Sequence, residues 1–352
     1  MTVTFTAKTL QKHLLRWYDQ HGRKHLPWQQ NKTPYRVFIS EIMLQQTQVA
    51  TVVPYFERFM QHFPDVKTLA RAHEDDVLHL WAGLGYYSRA RNLHKAAKLI
   101  CDEFQGEFPN TLETMRCLPG VGRSTAGAIL ALAFNQRAVI LDGNVKRVLA
   151  RLHAIRTPMN EAKTEGILWT LAEKYTPTER IADYTQVMMD LGATLCTRSK
   201  PRCSDCPLAK KCLANALGCA DTIPVKKATK ALPVRTATFL IIKKGRAVLL
   251  LKRPSKGIWG GLWSLPEIAN QQDTKALRAY CRDQFQTKTP RFKPLPAFRH
   301  TFSHYHLDIF PVIVETEVCA IMEASQQIWY NLSRPKNLGL PKPIQTIIAG
   351  LA

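Results

Sequence analysis

The sequence predicts two domains of different class, an all-α domain followed by a smaller α/β domain. Three features predict this: the period of the apolar residues, a cluster of cysteines, and a basic, proline-bounded stretch between two textures. Over the first two-thirds, apolar residues recur at helical spacing, as at Leu10, Leu14, Trp17 and Tyr18 and again at Val145, Val148, Leu149 and Leu152. Cys196, Cys203, Cys206, Cys212 and Cys219 close this region. Residues 224–235 are basic, begin at a proline and lack apolar periodicity, so they read as a linker. Beyond it, Thr236–Ile242 and Ala247–Leu251 are short β-type runs around a Lys-Lys-Gly-Arg turn, and Phe302–Val314 is again strand-like. A chain of 352 residues suits two domains, placed here at 1–223 and 236–352.

Charge narrows the partner. Lys and Arg number 49 against 27 Asp and Glu, a formal charge of +22. From Lys226 onward the count is 20 against 7, and before it 29 against 20, so both domains are basic. Such a field points to a polyanion, nucleic acid first and an anionic membrane surface second. The membrane reading is weak: the opening MTVTFTAKTL has no basic n-region or apolar h-region, and runs such as Ala126–Phe134 fall short of the ~20 residues a span requires. Nine cysteines, odd in number and clustered, favour a metal or cluster site in a reducing compartment over disulfides. A soluble, cytoplasmic protein is expected.

Taken in order, Thr33-Pro34 reads as an N-cap with proline at the first helical position. The helix it opens is expected to run through Ser40–Val53 and stop near Pro54. On it Glu41, Gln45 and Gln48 recur at i, i+4, i+7 among apolar neighbours. The same stripe suits a solvated helix face; if Glu41 is instead desolvated, its pKa rises and it suits proton donation near neutral pH. Trp81–Arg91 interleaves aromatics, glycines and arginines that could stack on bases and touch phosphates, or simply pack in a core. Gly120 and Gly122 in Leu-Pro-Gly-Val-Gly precede a helical run, Ser124–Phe134, and can aim backbone N–H groups at a phosphate. Asp142 precedes Gly143, Asn144 and the helix of Val145–Leu152; at that helix's positive end it is expected to stay ionised. One acid kept protonated and one kept charged is the division of labour that glycosidic cleavage through an oxocarbenium-like transition state needs. Cys196, Cys203, Cys206 and Cys212 follow C-x6-C-x2-C-x5-C, four thiolates able to hold a [4Fe–4S] cluster or tetrahedral zinc. Only one C-x2-C pair is present where a zinc ribbon has two, which tilts the reading toward the cluster, and Cys219 could replace a ligand. Around them Arg198, Lys200, Arg202, Lys210 and Lys211 could meet phosphate.

Assembled, these motifs resemble the adenine DNA glycosylase family of the MutY type, in the endonuclease III (helix-hairpin-helix) superfamily. The resemblance rests on Ser40–Gln48, Leu118–Arg123, Leu141–Arg147, Met188–Gly192 and the four-cysteine loop, and spans essentially the whole chain. It implies an all-α helix-hairpin-helix glycosylase domain, a [4Fe–4S] cluster on the loop 196–212, and hydrolytic removal of adenine mispaired with 8-oxoguanine or guanine in double-stranded DNA. A monomer, associated with a prokaryotic nucleoid, is expected. The resemblance makes Glu41 the proton donor to adenine and Asp142 the transition-state carboxylate, with Asn144 beside it. It puts Trp28 and Gln186 at the adenine pocket, and inserts Gln46 and Tyr86 into the base stack near the lesion. Ser124 falls where the lyase branch carries a nucleophilic lysine, so no programmed strand scission is expected; Lys146 is the only amine suspected of slow lyase activity. From about Thr236 the chain resembles a Nudix-like α/β domain, but after Glu267 the next acids are only Asp273 and Asp283, too few for the usual Mg²⁺ cage. There the resemblance implies recognition of 8-oxoguanine by Phe302, Ser303 and His304.

Overall fold

The structure, a computed structural model, describes residues 6–225, 231–270, 273–287, 290–315 and 326–351. Two compact units emerge: Met1–Arg71 with Asn92–Thr229, and Ala72–Arg91 with Lys230–Ala352. The first unit is thus discontinuous, a feature that one cut near residue 223 does not describe.

The first unit is helical, as expected. Helix α1 (Ala7–His21) is capped by the Thr6 hydroxyl, which accepts from Thr9 N–H, and buries Leu10, Leu14 and Tyr18. Helix α2 (Pro34–Leu44) is capped by Thr33 with Pro34 in its first turn, and seven of its residues are buried, Phe38, Ile42 and Met43 among them. So much buried surface, worth about 1.5–3 kcal/mol per large apolar side chain, makes α2 a central element rather than a surface helix. It ends nine residues sooner than expected, at Leu44 instead of Val53. Gln45 turns to ψ 112° and Gln46 adopts φ +57°, after which α3 (Val49–His62) begins with Pro54 inside it. The stop is made by the backbone of two glutamines and not by the proline; the missing Pro54 N–H removes one bond from α3 without ending it. Glu41, Gln45 and Gln48 therefore do not share one helix face, since Gln45 caps α2 and Gln48 caps α3.

Helix α4 (Val66–Arg71) follows, then α5 (Glu74–Trp81), which belongs to the second unit. Helix α6 (Ser88–Phe104) and α7 (Leu112–Arg116) lead to the glycine turn, where Gly120 takes φ +82°. Gly122 then caps α8 (Arg123–Phe134) without a side chain. All seven residues Ala126–Leu132 are buried, so α8 runs through the core beside α2 and α11 (Ile181–Thr194). Helix α9 (Gly143–Leu152) is capped by Asp142 and buries Val145, Val148, Leu149 and Leu152. Helices α10 (Ala162–Tyr175) and the short α12 (Leu213–Ala216) complete the unit.

The second unit is built on an eight-stranded mixed sheet, the expected α/β class. Strand β1 (Val234–Lys244) pairs parallel with β7 (His306–Glu315) along nine residues and turns through Gly245 into β2 (Ala247–Lys252). Val234 lies inside the expected linker, of which Lys226–Lys230 fall outside the described residues. Strands β3 (Trp263–Ser264), β4 (Glu267–Ala269), β5 (Arg291–Pro294), β6 (Phe298–Thr301) and β8 (Gln327–Asn331) fill the rest. Helix α13 (Thr274–Phe285) packs Leu277, Cys281 and Phe285 against Leu240, Leu249 and Val312 of the sheet, and α14 (Lys342–Ala349) follows. Asp273 spends its carboxylate capping α13 through Ala276 N–H, while Asp283 pairs with Arg282 in solvent. Among the described helices none is long and apolar enough to cross a membrane.

Candidate active site

Where α2, α8, α9 and α11 meet, the helical unit encloses a cavity of about 720 Å³. Glu41, Asp142, Asn144, Trp28 and Gln186 all line it, so five residues from four parts of the sequence share one wall. Glu41 is the polar exception on α2. It is half-buried, and burial first and the Asp142 charge second push its pKa up to about 8. A carboxyl in that range holds its proton at neutral pH.

Asp142 differs from expectation. Its carboxylate accepts from Val145 N–H at 2.8 Å and from the Asn144 amide at 3.2 Å, as an N-cap should. Even so its pKa is raised, because burial outweighs those bonds and the nearby Arg147 charge. Both carboxyls are therefore shifted upward. The two differ in cause: hydrogen bonds and the Arg147 charge oppose the rise at Asp142, whereas burial and the Asp142 charge both raise Glu41.

Asn144 is held from both ends. Its amide donates to Asp142, and its oxygen accepts from Arg147 Nη2 at 2.8 Å. Arg147 also donates to the carbonyls of Gly192 at 2.7 Å and Cys196 at 2.7 Å, tying α9 to α11 and to the cysteine loop. Gly192 permits this approach, since a Cβ there would lie 2.5 Å from Asn144 Cβ. Ser124 also lines the cavity, and its hydroxyl accepts from Leu141 N–H at 2.9 Å, anchoring the chain that leads into Asp142. Lys146 is not among the lining residues; its amine sits 2.8 Å from Glu165.

Trp28 is 4% exposed and packs edge-on against Phe56, centroids 5.5 Å apart. Gln46 does not line the cavity; it stands exposed on the α2–α3 turn in a left-handed conformation costing about 1–2 kcal/mol for a side chain. Gln45 stitches that turn to the glycine turn, donating to Gly120 O at 3.3 Å and Thr125 Oγ1 at 3.4 Å. Gly120 and Gly122 are themselves exposed.

In the second unit, Tyr86, Phe302, Ser303 and His304 line a separate cavity of about 390 Å³. Phe302–Tyr305 is the tip of the β6–β7 hairpin, closed by Phe302 N–H to Tyr305 O at 2.9 Å. Phe302 stacks on Tyr305 at 4.6 Å and lies 5.3 Å from Trp259, itself left-handed at φ +56°. Ser303 and His304 are exposed at the tip. Of the three nearby aromatics, Trp81 and Tyr87 are core, whereas Tyr86 is 47% exposed and left-handed at φ +49°.

Cys196, Cys203, Cys206 and Cys212 line one small chamber, and Cys219 does not. Burial raises the thiols of Cys203, Cys212 and Cys206, the last to about 12. Arg151, 2% exposed, donates to Cys196 Sγ at 3.2 Å, to Thr197 O at 2.7 Å and to Ile223 O at 2.8 Å, clamping the loop. Among the described residues no three His, Cys, Asp or Glu side chains are placed to share a single metal ion. Arg198, Lys200, Arg202, Lys210 and Lys211 are all exposed on this loop.

Sequence reasoning missed several cavity residues. Arg147 closes the Leu141–Arg147 motif, but nothing in the spacing marks it as the tie between three segments. Arg23, which lines the cavity, carries no local signal; Asp190, behind the wall, stands in the Met188–Gly192 motif, but nothing local marks its pairing with Arg23 far away in the chain.

The comparisons with known proteins agree with this architecture. Residues 39–174 match the family described as HhH-GPD superfamily base excision DNA repair protein, and residues 237–350 match the NUDIX domain. An adenine DNA glycosylase of Buchnera aphidicola subsp. Acyrthosiphon pisum (strain APS) is 42% identical over 337 residues, 95% of each chain. The Homo sapiens adenine DNA glycosylase is 35% identical, over 84% of this chain and 64% of its own. Among solved structures, a thermostable thymine-DNA glycosylase superposes with a TM-score of 0.55 at 26% identity, covering 60% of this chain and 97% of its own. An endonuclease III in a trapped covalent complex with DNA shares the fold, with a TM-score of 0.52 at 23% identity over 61% of this chain and 99% of its own. With near-complete coverage at this identity, and with a helical repair domain followed by a Nudix-type domain, the chain belongs to the adenine DNA glycosylase family.

Proposed function

We propose that the protein hydrolyses the N-glycosidic bond of adenine mispaired with 8-oxoguanine or guanine in duplex DNA and leaves the strand uncut. The observation that carries this reading is that Glu41 and Asp142 line one cavity, Glu41 with its pKa pushed up to about 8 and Asp142 bonded as an N-cap by Val145 N–H and the Asn144 amide, while Ser124 offers no amine.

The base must first leave the stack, at a cost of a few kcal/mol. Gln46 and Tyr86, each exposed and each held in a left-handed conformation, are shaped as the wedges. The uncapped start of α8 at Gly122, with Gly120 before it, offers N–H groups to a phosphate. Trp28 and Gln186 receive the adenine. Glu41 then gives its proton to the purine, the glycosidic electron pair departs with neutral adenine, and the Asp142 carboxylate faces the cationic sugar that results. Water adds to the anomeric carbon and its surplus proton passes to a carboxylate. Asn144 and Arg147 hold Asp142 in place throughout. The ion pair of Lys146 with Glu165 supports a course without a Schiff base.

The four thiols in one chamber, with Arg151 against Cys196, fit a [4Fe–4S] cluster, for which thiolates are the usual donors. Bound there, the cluster would cross-link the loop that carries Arg198 and its basic neighbours toward phosphate. In the second unit, the Phe302–His304 tip reads 8-oxoguanine through polar groups set on an aromatic base.

The test is single-turnover cleavage of duplexes with A opposite 8-oxoguanine, guanine or thymine, each with and without alkali. Breaks are expected for the first two, and only after alkali. Breaks without alkali would mean a lyase, and equal cleavage opposite thymine would remove the mispair assignment.

A further inference from the structure

Behind the cavity wall lies a buried polar chain that the chemistry of the two carboxyls does not use. Asp190 is completely buried on α11. Its carboxylate accepts from Arg23 N–H at 2.9 Å, from Arg23 Nε at 2.9 Å and from Gln186 Nε2 at 2.7 Å. Arg23 Nη2 closes the ion pair at 2.8 Å. One turn before Asp190, Gln186 is 3% exposed and lines the cavity. Its oxygen accepts from Gln29 Nε2, and Gln29 Oε1 is left buried without a hydrogen-bond partner.

This chain fixes a choice that a glutamine alone leaves open. An amide has a donor end and an acceptor end, and either can face a ligand. A carboxylate paired with a guanidinium accepts and does not donate. Turning the Gln186 amide over would set its oxygen against a buried carboxylate oxygen and leave its NH₂ against the Gln29 NH₂. The first contact would be repulsive and strand a buried polar group; Gln29, whose Oε1 has no other partner, can turn to relieve the second, so the lock rests on Asp190.

We propose that Asp190 is a specificity-determining positioning residue: it locks the Gln186 amide with its carbonyl as the end available to the base. A carbonyl oxygen has two lone pairs, and Gln29 occupies one. The other accepts from an exocyclic amine at purine position 6 and opposes a carbonyl there. The site thereby selects 6-aminopurines over 6-oxopurines. The inference rests on the reading that Gln186 faces the flipped base.

The experiment compares single-turnover excision of adenine and of hypoxanthine, its 6-oxo counterpart, opposite 8-oxoguanine. Wild type is expected to favour adenine. Asp190→Ala frees the amide to turn and is expected to reduce that ratio roughly 10- to 100-fold, whatever happens to the absolute rate. The double variant Arg23→Met with Asp190→Ala removes the unpaired guanidinium and is expected to give the same reduced ratio in a more stable protein. Gln186→Met should lose the discrimination too. If Gln186→Met keeps the wild-type ratio, Gln186 does not read the base and both readings fall. If Gln186→Met loses the ratio and both Asp190 variants keep it, the positioning role alone is overturned. A measurement on the unmutated enzyme covers loss of folding in the variants. The ¹⁵N-labelled Gln186 amide, assigned by its disappearance in Gln186→Met, should be protected from solvent exchange; rapid exchange would contradict the lock.

Discussion

The cavity of the helical unit, about 720 Å³, and that of the sheet unit, about 390 Å³, differ in what their walls can do to a ligand. The first is lined by two carboxyls with shifted pKa values and by a polar scaffold of half-buried Asn144 and Arg147 and buried Gln186. The second, among its described lining residues, has no carboxyl; it has Tyr86, Trp259, His300 and Phe302 with Ser303 and His304 at an exposed tip. One can move a proton, and the other can stack on a base and bond its edge. The difference suits the proposed division of labour, with chemistry assigned to the cavity where helix ends converge and base reading to an exposed hairpin tip.

The largest effect that would sharpen this contrast is Asp142→Asn. Single-turnover cleavage should fall by on the order of 10³ or more while duplex binding in a gel-shift titration stays near wild type. Loss of binding as well would assign Asp142 a folding role through its capping of α9. Gly192→Ala should come next. Its Cβ would force Asn144 away, and cleavage should drop roughly 10- to 100-fold with the protein still folded by circular dichroism. Changes in the other cavity should show a different signature. Ser303→Ala or Phe302→Ala should cut the preference for 8-oxoguanine over guanine about tenfold and slow the chemical step less. An unchanged preference would remove the hairpin tip from recognition. Smallest is Lys146→Ala, expected to leave cleavage and any residual strand scission within about twofold, since the amine already serves Glu165.

Much of this was legible in sequence. The helical period of α1 and α9, the Thr33-Pro34 cap and the Asp142 cap follow from local chemistry and are where spacing puts them. The desolvation of Glu41 was readable from its apolar neighbours on α2. What could not be read depends on other elements. The α2–α3 break falls on Gln45 and Gln46, which carry no glycine or proline signal; the bonds that tie Gln45 to Gly120 and Thr125 join segments about 75 residues or more apart. The raised pKa of Asp142 is likewise not local: its N-cap bonds predict a low value, and the helices packed around it reverse the sign. The Arg23–Asp190–Gln186 chain joins segments separated by more than a hundred residues, and no periodicity announces it.

Glu41 also links the site to stability. Its folded pKa near 8 lies above the ordinary 4.5, so its contribution to stability is full at low pH and is lost as pH rises through 8. Glu41→Gln should therefore melt higher than wild type at pH 9 and nearly with it at pH 5.

The most direct test of the central claim is the pH profile of single-turnover adenine excision for wild type and Glu41→Gln. For wild type the rate should hold through neutral pH and fall above about 8, roughly tenfold per unit, as the buried carboxyl loses its proton. The variant should be at least about 100-fold slower, without that alkaline fall. A wild-type rate that stays flat to pH 10, or a Glu41→Gln enzyme that cleaves at the wild-type rate, would contradict Glu41 as the donor.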